Sequence, residues 1–283
     1  MAKASDYLVA LDDGHGPQTA GKRTPYIASL GRQIRENEFN KAVVDLLDTE
    51  LKRCGFRTLQ LAPTDADTPL NTRTNTANQA KASLLISVHF NAMGSTFAYS
   101  QARGFSVHIQ PADKSNVNSG SLKFAKLAIE ELAKGTPQVN RGVVGQNLAM
   151  TRESKMPAVL VECGFMDDEK EALLMIDAKF HREVSQELAR AVCRYFGIPY
   201  VNEVIAEVSV TKPQDTKEAI RLFKPTTDTL NNEMYKTLDK AHKDGILTSE
   251  QWAQKAKDGT LTLDDAIALT ATIVRRSYLD ADK

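Results

Sequence analysis

Short apolar runs that stop abruptly at polar or glycine residues mark the first two thirds of the chain. Residues 7–11 form one such run, which predicts a buried strand, and Asp12-Asp13-Gly14-His15-Gly16 follow directly. Residues 17–31, rich in Gly, Pro, Thr and Lys, read as an extended surface loop. From Glu36 the period changes: Phe39, Val43, Leu46, Leu47 and Leu51 recur at helical spacing, and Gly55 ends the run. Residues 56–61 alternate as a second strand does, and residues 70–81 are polar without a breaker, a helix. Residues 83–89 form a continuous apolar strand ending in His89, and residues 105–109 another. An amphipathic helix is expected over about 122–133, a buried strand over 157–165 carrying Glu162, and one helix over 173–196. Strands that alternate with helices indicate an α/β sheet covered on both faces.

Past residue 200 the pattern loses its period. Residues 201–225 read as a linker, and residues 226–283 as a small all-α unit of three helices. Leu230, Met234 and Leu238 share a face of the first, Thr248 with Gln251 resembles a capping box, and Thr262 with Asp265 caps the third. Such a unit is small for an independent core, so packing on the main domain or self-association is expected.

The chain has 283 residues, 42% hydrophobic and 25% charged, as in an ordinary globular protein. Lys+Arg and Asp+Glu are both 36, so no overall field holds it to nucleic acid or anionic lipid. Cys54, Cys163 and Cys193 are widely spaced with no CxxC, which reads as buried thiols made in a reducing compartment. The first residues show no signal-peptide h-region, and no apolar run approaches the ~20 residues of a membrane span. No membrane insertion is expected, and synthesis in a cytoplasm is.

Four polar residues stand at element boundaries: His15 after a strand, Glu36 opening a helix, and His89 and Glu162 ending strands. Two histidines and a carboxylate form the protein side of a hydrolytic zinc site, which keeps a further position for water. Glu162 is then the additional carboxylate needed to move a proton. Glycines beside His15 leave room for a sharp turn and a close approach. Blander roles stand beside these: a loop histidine also packs or caps, and a glutamate in a helix's first turn also serves as a dipole partner. Glu38 competes with Glu36 as the ligand. His108 inside an apolar strand reads as packing, His181 as a solvated helix face, and His242, near Lys240 and Lys243, as a residue favourable at a helix C-terminus. Cys163 lacks a free base to form a thiolate.

Taken in order, the chain shows Asp12-Asp13-Gly14-His15-Gly16, then Glu36-Asn37-Glu38-Phe39-Asn40, then Leu70-Asn71-Thr72-Arg73 with Ala77-Asn78. Ser87-Val88-His89-Phe90-Asn91-Ala92, Arg141-Gly142-Val143 and Pro157-Ala158-Val159-Leu160-Val161-Glu162-Cys163-Gly164-Phe165 complete the series. Over roughly residues 5–200 this set resembles the zinc-dependent N-acetylmuramoyl-L-alanine amidases of the Amidase_3 type, found in bacterial autolysins and phage endolysins. The resemblance implies a twisted, mainly parallel sheet flanked by helices, over a catalytic domain of residues 1–200. It implies one Zn2+ held by His15, Glu36 and His89, with Glu162 as the catalytic glutamate. Arg73, Asn78 and Asn91 read as structural, or as side chains that fix the ligand loops. Asp13 stands where the family often has Pro, and Val88 and Phe90 replace its Ile and Ala around the second histidine; no ligand is lost.

The implied substrate is bacterial peptidoglycan, cut between N-acetylmuramic acid and L-alanine of the stem peptide. An endolysin acting on the wall after release, with residues 226–283 binding a wall polymer or self-associating, is the reading favoured. A mother-cell-lysis autolysin, a stem-peptide metallopeptidase and a non-catalytic wall-binding protein are the alternatives.

Overall fold

A computed structural model describes residues 2–98, 102–111, 119–136 and 138–203, together with residues 251–258 and a few single positions beyond residue 203. The chain divides into two compact units, residues 1–205 and 206–283.

The first unit is built on a six-stranded sheet in the order β2-β1-β3-β6-β4-β5. The strands are β1 (Leu8–Asp12), β2 (Arg57–Gln60), β3 (Leu84–Asn91), β4 (Phe105–Ile109), β5 (Asn140–Gly145) and β6 (Ala158–Phe165). Strands β2, β1, β3 and β6 run parallel, β4 is antiparallel to β6, and β5 runs parallel to β4. The sheet is thus mainly parallel, as the motif series implied. Its helices are α1 (Glu36–Arg53), α2 (Leu70–Gln79), α3 (Ser119–Gly135), α4 (Ala149–Arg152), α5 (Glu169–Leu174) and α6 (Ala178–Phe196).

Alternation along each strand separates two faces. Val9, Leu11, Ile86, Val88, Phe90, Val107, Val159 and Val161 pack into one large core with apolar residues of α1, α3 and α6. From α1, Phe39, Val43, Leu47 and Leu51 are fully buried there, each burial worth about 1.5–3 kcal/mol. Across the sheet Ala10, Leu85 and Ala158 meet Ala77 of α2 and Met150 of α4 in a smaller cluster. That second face is apolar only in part. Beyond this row it carries Asp12 and Ser87, then His89 and Glu162, so the chain's polar chemistry collects at the carboxyl ends of β1, β3 and β6.

The structure departs from these expectations at three points. Strand β5 lies in a segment where the pattern predicts no strand, and the helix expected over 173–196 is two helices. Asp168 accepts from the backbone N–H of Lys170 and Glu171 to cap α5, and Asp177 accepts from Lys179 to cap α6. The predicted surface loop 17–31 also buries Thr24 and Ile27, at 1% and 0% exposure, so part of it belongs to the core.

In the second unit the described residues include a helix, α7 (Gln251–Lys257), in which the Lys255 ammonium lies 4.6 Å from the Trp252 ring centroid. Leu238 and Leu269 are buried. The expected linker beyond residue 203 and the residues Leu230, Met234, Thr248, Thr262, Asp265 and His242 lie outside the described residues. Among the described residues no helix is long and apolar enough to cross a membrane.

Candidate metal centre

The site begins where β1 ends. Gly14 has φ +71°, and a Cβ there would lie 2.7 Å from both Asn40 Nδ2 and His89 Cε1. Only glycine lets the backbone turn this way so close to those side chains. The loop then presents His15, whose carbonyl accepts a hydrogen bond from the Asn37 side-chain amide in the first turn of α1. Glu36 opens that helix at 1% exposure. Its Oε1 accepts from the Phe90 backbone N–H at 3.2 Å and from Asn40 Nδ2 at 3.3 Å, and faces His89 Nδ1 at 2.8 Å. A carboxylate at a helix N-terminus is also favoured by the helix dipole.

His15, Glu36 and His89 come together although 74 positions separate the first from the last. One ligand atom from each lies within 4.8 Å of the others. His15 Nε2 and Glu36 Oε2 are 3.5 Å apart, and each is buried without a hydrogen-bond partner. The two imidazoles sit edge to face, with centroids 5.0 Å apart. Tetrahedral zinc with bonds of about 2.0–2.1 Å spaces its ligands roughly 3.4 Å apart. Two orphaned buried atoms at nearly that spacing, in a set of two imidazoles and one carboxylate, fit a divalent ion.

The electrostatics agree with a site built around charge. Burial pushes the His15 imidazole down, against the pull of Glu36, to about 4. Burial alone would raise Glu36, but His89, His15 and Lys22 hold it at about 2. The Lys22 ammonium reaches to 3.8 Å from Glu36 Oε2 out of the loop after β1.

Glu162 lies directly across from His89 in the β3–β6 register, on the same face. Its Oε2 is buried without a hydrogen-bond partner, and burial raises its carboxyl to about 7. Glu38 is not part of the cluster: its Oε1 accepts from Arg35 N at 2.8 Å and Arg32 Nη1 at 2.9 Å, bracing the start of α1.

Asn78 joins α2 to the loop after α4, donating to Glu153 O at 2.9 Å and accepting from Lys155 N at 2.8 Å. Asn91 accepts from the Ala92 backbone N–H at 2.7 Å. Arg73 is buried against Asp12, Asp67 and the Thr68 carbonyl. His108 is buried with Nε2 2.9 Å from Ser106 Oγ, a packing position as expected. His181 is not solvated as the sequence suggested. It is half-buried, its Nε2 2.9 Å from the Met175 carbonyl and its ring edge-on to Phe39. Cys163 is 1% exposed and burial pushes its thiol far up, so it is inert. Sequence reasoning missed Asn37, Asn40 and Lys22, which brace or face this candidate ligand set, and gave Asp12 and Ser87 no role.

An α/β sheet with two histidines at its carboxyl edge, facing a buried glutamate at the start of α1, has the donor set of a metal-assisted hydrolase. The chain belongs to the Amidase_3 family, N-acetylmuramoyl-L-alanine amidase, whose sequence profile matches residues 9–194. It is 26% identical over 188 residues to the N-acetylmuramoyl-L-alanine amidase LytC of Bacillus subtilis, covering 66% of this chain and 35% of that protein. It is 26% identical over 223 residues to the endolysin of Bacillus phage SPP1, covering 78% of each. The catalytic domain of the amidase CwlV from Bacillus (Paenibacillus) polymyxa var. colistinus superposes with a TM-score of 0.58 at 27% identity, over 68% of this chain and 99% of that one.

Proposed function

We propose that this chain hydrolyses the amide between N-acetylmuramic acid and the L-alanine of the peptidoglycan stem, as a zinc enzyme. The observation that supports this most is the convergence of His15, Glu36 and His89, with Glu162 one strand away on the same face, in a chain of the Amidase_3 family. His15, Glu36 and His89 hold the ion. When bound, a divalent ion there supplies Lewis acidity, polarising a carbonyl oxygen and lowering the pKa of water. Glu162 takes a proton at Oε2 and returns it to the leaving amine of L-alanine. A carboxyl raised to about 7 by burial is suited to both transfers near neutral pH. The Lys22 ammonium adds positive charge beside Glu36, where negative charge grows as a carbonyl is attacked.

The biological role proposed is that of an endolysin acting on the wall after release. Its support is the likeness to the SPP1 endolysin across most of both chains. Residues 226–283 are proposed to bind a wall polymer or to self-associate. Binding of the Glu162→Gln chain to purified walls, with and without those residues, separates the two roles when sedimentation is measured alongside.

Purified walls treated with the chelated and then zinc-restored protein test the chemistry. Zinc-dependent release of intact stem peptides with free N-terminal L-alanine is the expected result. Products cut within the stem peptide, or equal activity after chelation, would count against it.

A further inference from the structure

Beneath the metal centre runs a line of buried polar groups that the chemistry above does not use. Arg73 Nη1 donates to Asp12 Oδ1 at 3.1 Å. The other oxygen, Asp12 Oδ2, accepts from Ser87 Oγ at 2.5 Å. Ser87 Oγ lies 3.0 Å from His89 Nε2, and His89 Nδ1 lies 2.8 Å from Glu36 Oε1. Asp12 and Ser87 are fully buried and Arg73 is 2% exposed.

The directions of these bonds follow from the donor inventory. A carboxylate facing an arginine only accepts, so the single Ser87 hydroxyl proton is committed to Asp12. Toward His89, Ser87 then offers only a lone pair. His89 Nε2 must carry a proton and donate to Ser87, so Nδ1, which faces the Glu36 carboxylate, is the nitrogen left to give up its proton when an ion binds. Asp12 and Ser87 are register partners on β1 and β3, one row below His89 on the same face. The next row down, Ala10, Leu85 and Ala158, is apolar, so the polar line is confined to the layer that supports the ligand. A buried ion pair is often no more stabilising than apolar groups of the same volume, which gives fold stability little reason to place one here.

We propose that Arg73, Asp12 and Ser87 form a positioning line that fixes the tautomer and ring angle of His89, so that Nδ1 is the nitrogen offered to the ion. This rests on the reading of His15, Glu36 and His89 as metal ligands. The line also reaches the other histidine. Arg73 Nη2 donates to Asp67 Oδ1 at 2.9 Å, and Asp67 Oδ2 accepts from Thr19 Oγ1 at 2.6 Å. Thr19 Oγ1 in turn accepts from Gly16 N at 3.0 Å, beside His15. One arginine therefore braces the supports of two ligands.

Zinc affinity of the full chain, measured by competition with a chromophoric chelator, tests the proposal. Ser87→Ala is expected to bind zinc about 10- to 100-fold more weakly than wild type, as loss of a group that orients a metal-bound histidine does. Ser87→Thr keeps the hydroxyl and is expected to retain wild-type affinity. Equal affinity for wild type and a folded Ser87→Ala overturns the positioning role while leaving the ligand set intact. A wild-type chain that binds no zinc overturns the ligand set itself, and the proposal with it. Should Ser87→Ala fail to fold, long-range proton–nitrogen correlation on the zinc-loaded wild type decides: His89 protonated at Nε2 supports the line, and protonation at Nδ1 refutes it.

Discussion

Gly14→Ala probes the fold and the site in one substitution. The position has φ +71°, and a left-handed conformation costs an L-residue about 1–2 kcal/mol. The new methyl would also sit 2.7 Å from His89 Cε1 and from Asn40 Nδ2, and overpacking of that kind costs about 1–3 kcal/mol. Together the two effects predict a loss of about 2–5 kcal/mol. The clash is aimed: one contact is the ring of His89, a proposed ligand, and the other an amide that bonds Glu36. Zinc affinity should therefore fall along with stability. Urea unfolding of the metal-free protein at unchanged m-value measures the first, and chelator competition the second. A variant within about 0.5 kcal/mol of wild type, with unaltered zinc affinity, would show that the glycine does not hold the turn against the site.

Glu162→Gln should retain zinc and lose about 100- to 10,000-fold in turnover, the usual contribution of a general base; wild-type wall clearance by this variant would remove Glu162 from the mechanism. Glu38→Ala should cost about 1 kcal/mol or less through the start of α1 and leave zinc stoichiometry at the wild-type value, whereas Glu36→Ala should abolish binding; the reverse pattern would exchange their roles. Glu187, buried beside Glu183 and Thr136 midway along α6, has its carboxyl pushed up to about 8, first by burial and then by the charge of Glu183. The folded chain thus holds that proton more tightly than the unfolded chain. Its contribution to stability is full below pH 4.5 and is lost as the pH rises toward about 8. Glu187→Gln should flatten that slope in denaturation curves taken across the window, and an unchanged slope would contradict the assignment.

Most of the layered fold was legible because buried parallel strands read as continuous apolar runs, as residues 84–90 do. Strand β5 escaped because Asn140-Arg141-Gly142-Val143-Val144-Gly145 holds two glycines and only two apolar residues. It lies at the sheet edge and is half-exposed, so no strong alternation marks it. The break between α5 and α6 was hidden by apolar residues on both sides of Asp177; the aspartate itself was the available signal, as an N-cap. The antiparallel direction of β4 depends on a long connection whose path no local pattern records. At the site, His15, Glu36, His89 and Glu162 showed themselves as polar residues at element ends. Ser87, a lone polar residue inside an apolar run, did not, and Asp12 at the end of β1 gave no sign of its partner, because such bonds show only when the neighbouring strand and its register are known. His181 was misread for a similar reason: its charged neighbours suggested solvent, and the packing of Phe39 against it comes from a distant helix.

Anomalous diffraction at the zinc edge, from crystals of the zinc-loaded protein, addresses the central claim most directly. A single peak lying between the His15 and His89 rings and the Glu36 carboxylate, with Glu162 adjacent and not ligating, is the predicted result. A peak elsewhere, or none at that position at full zinc loading, would contradict it.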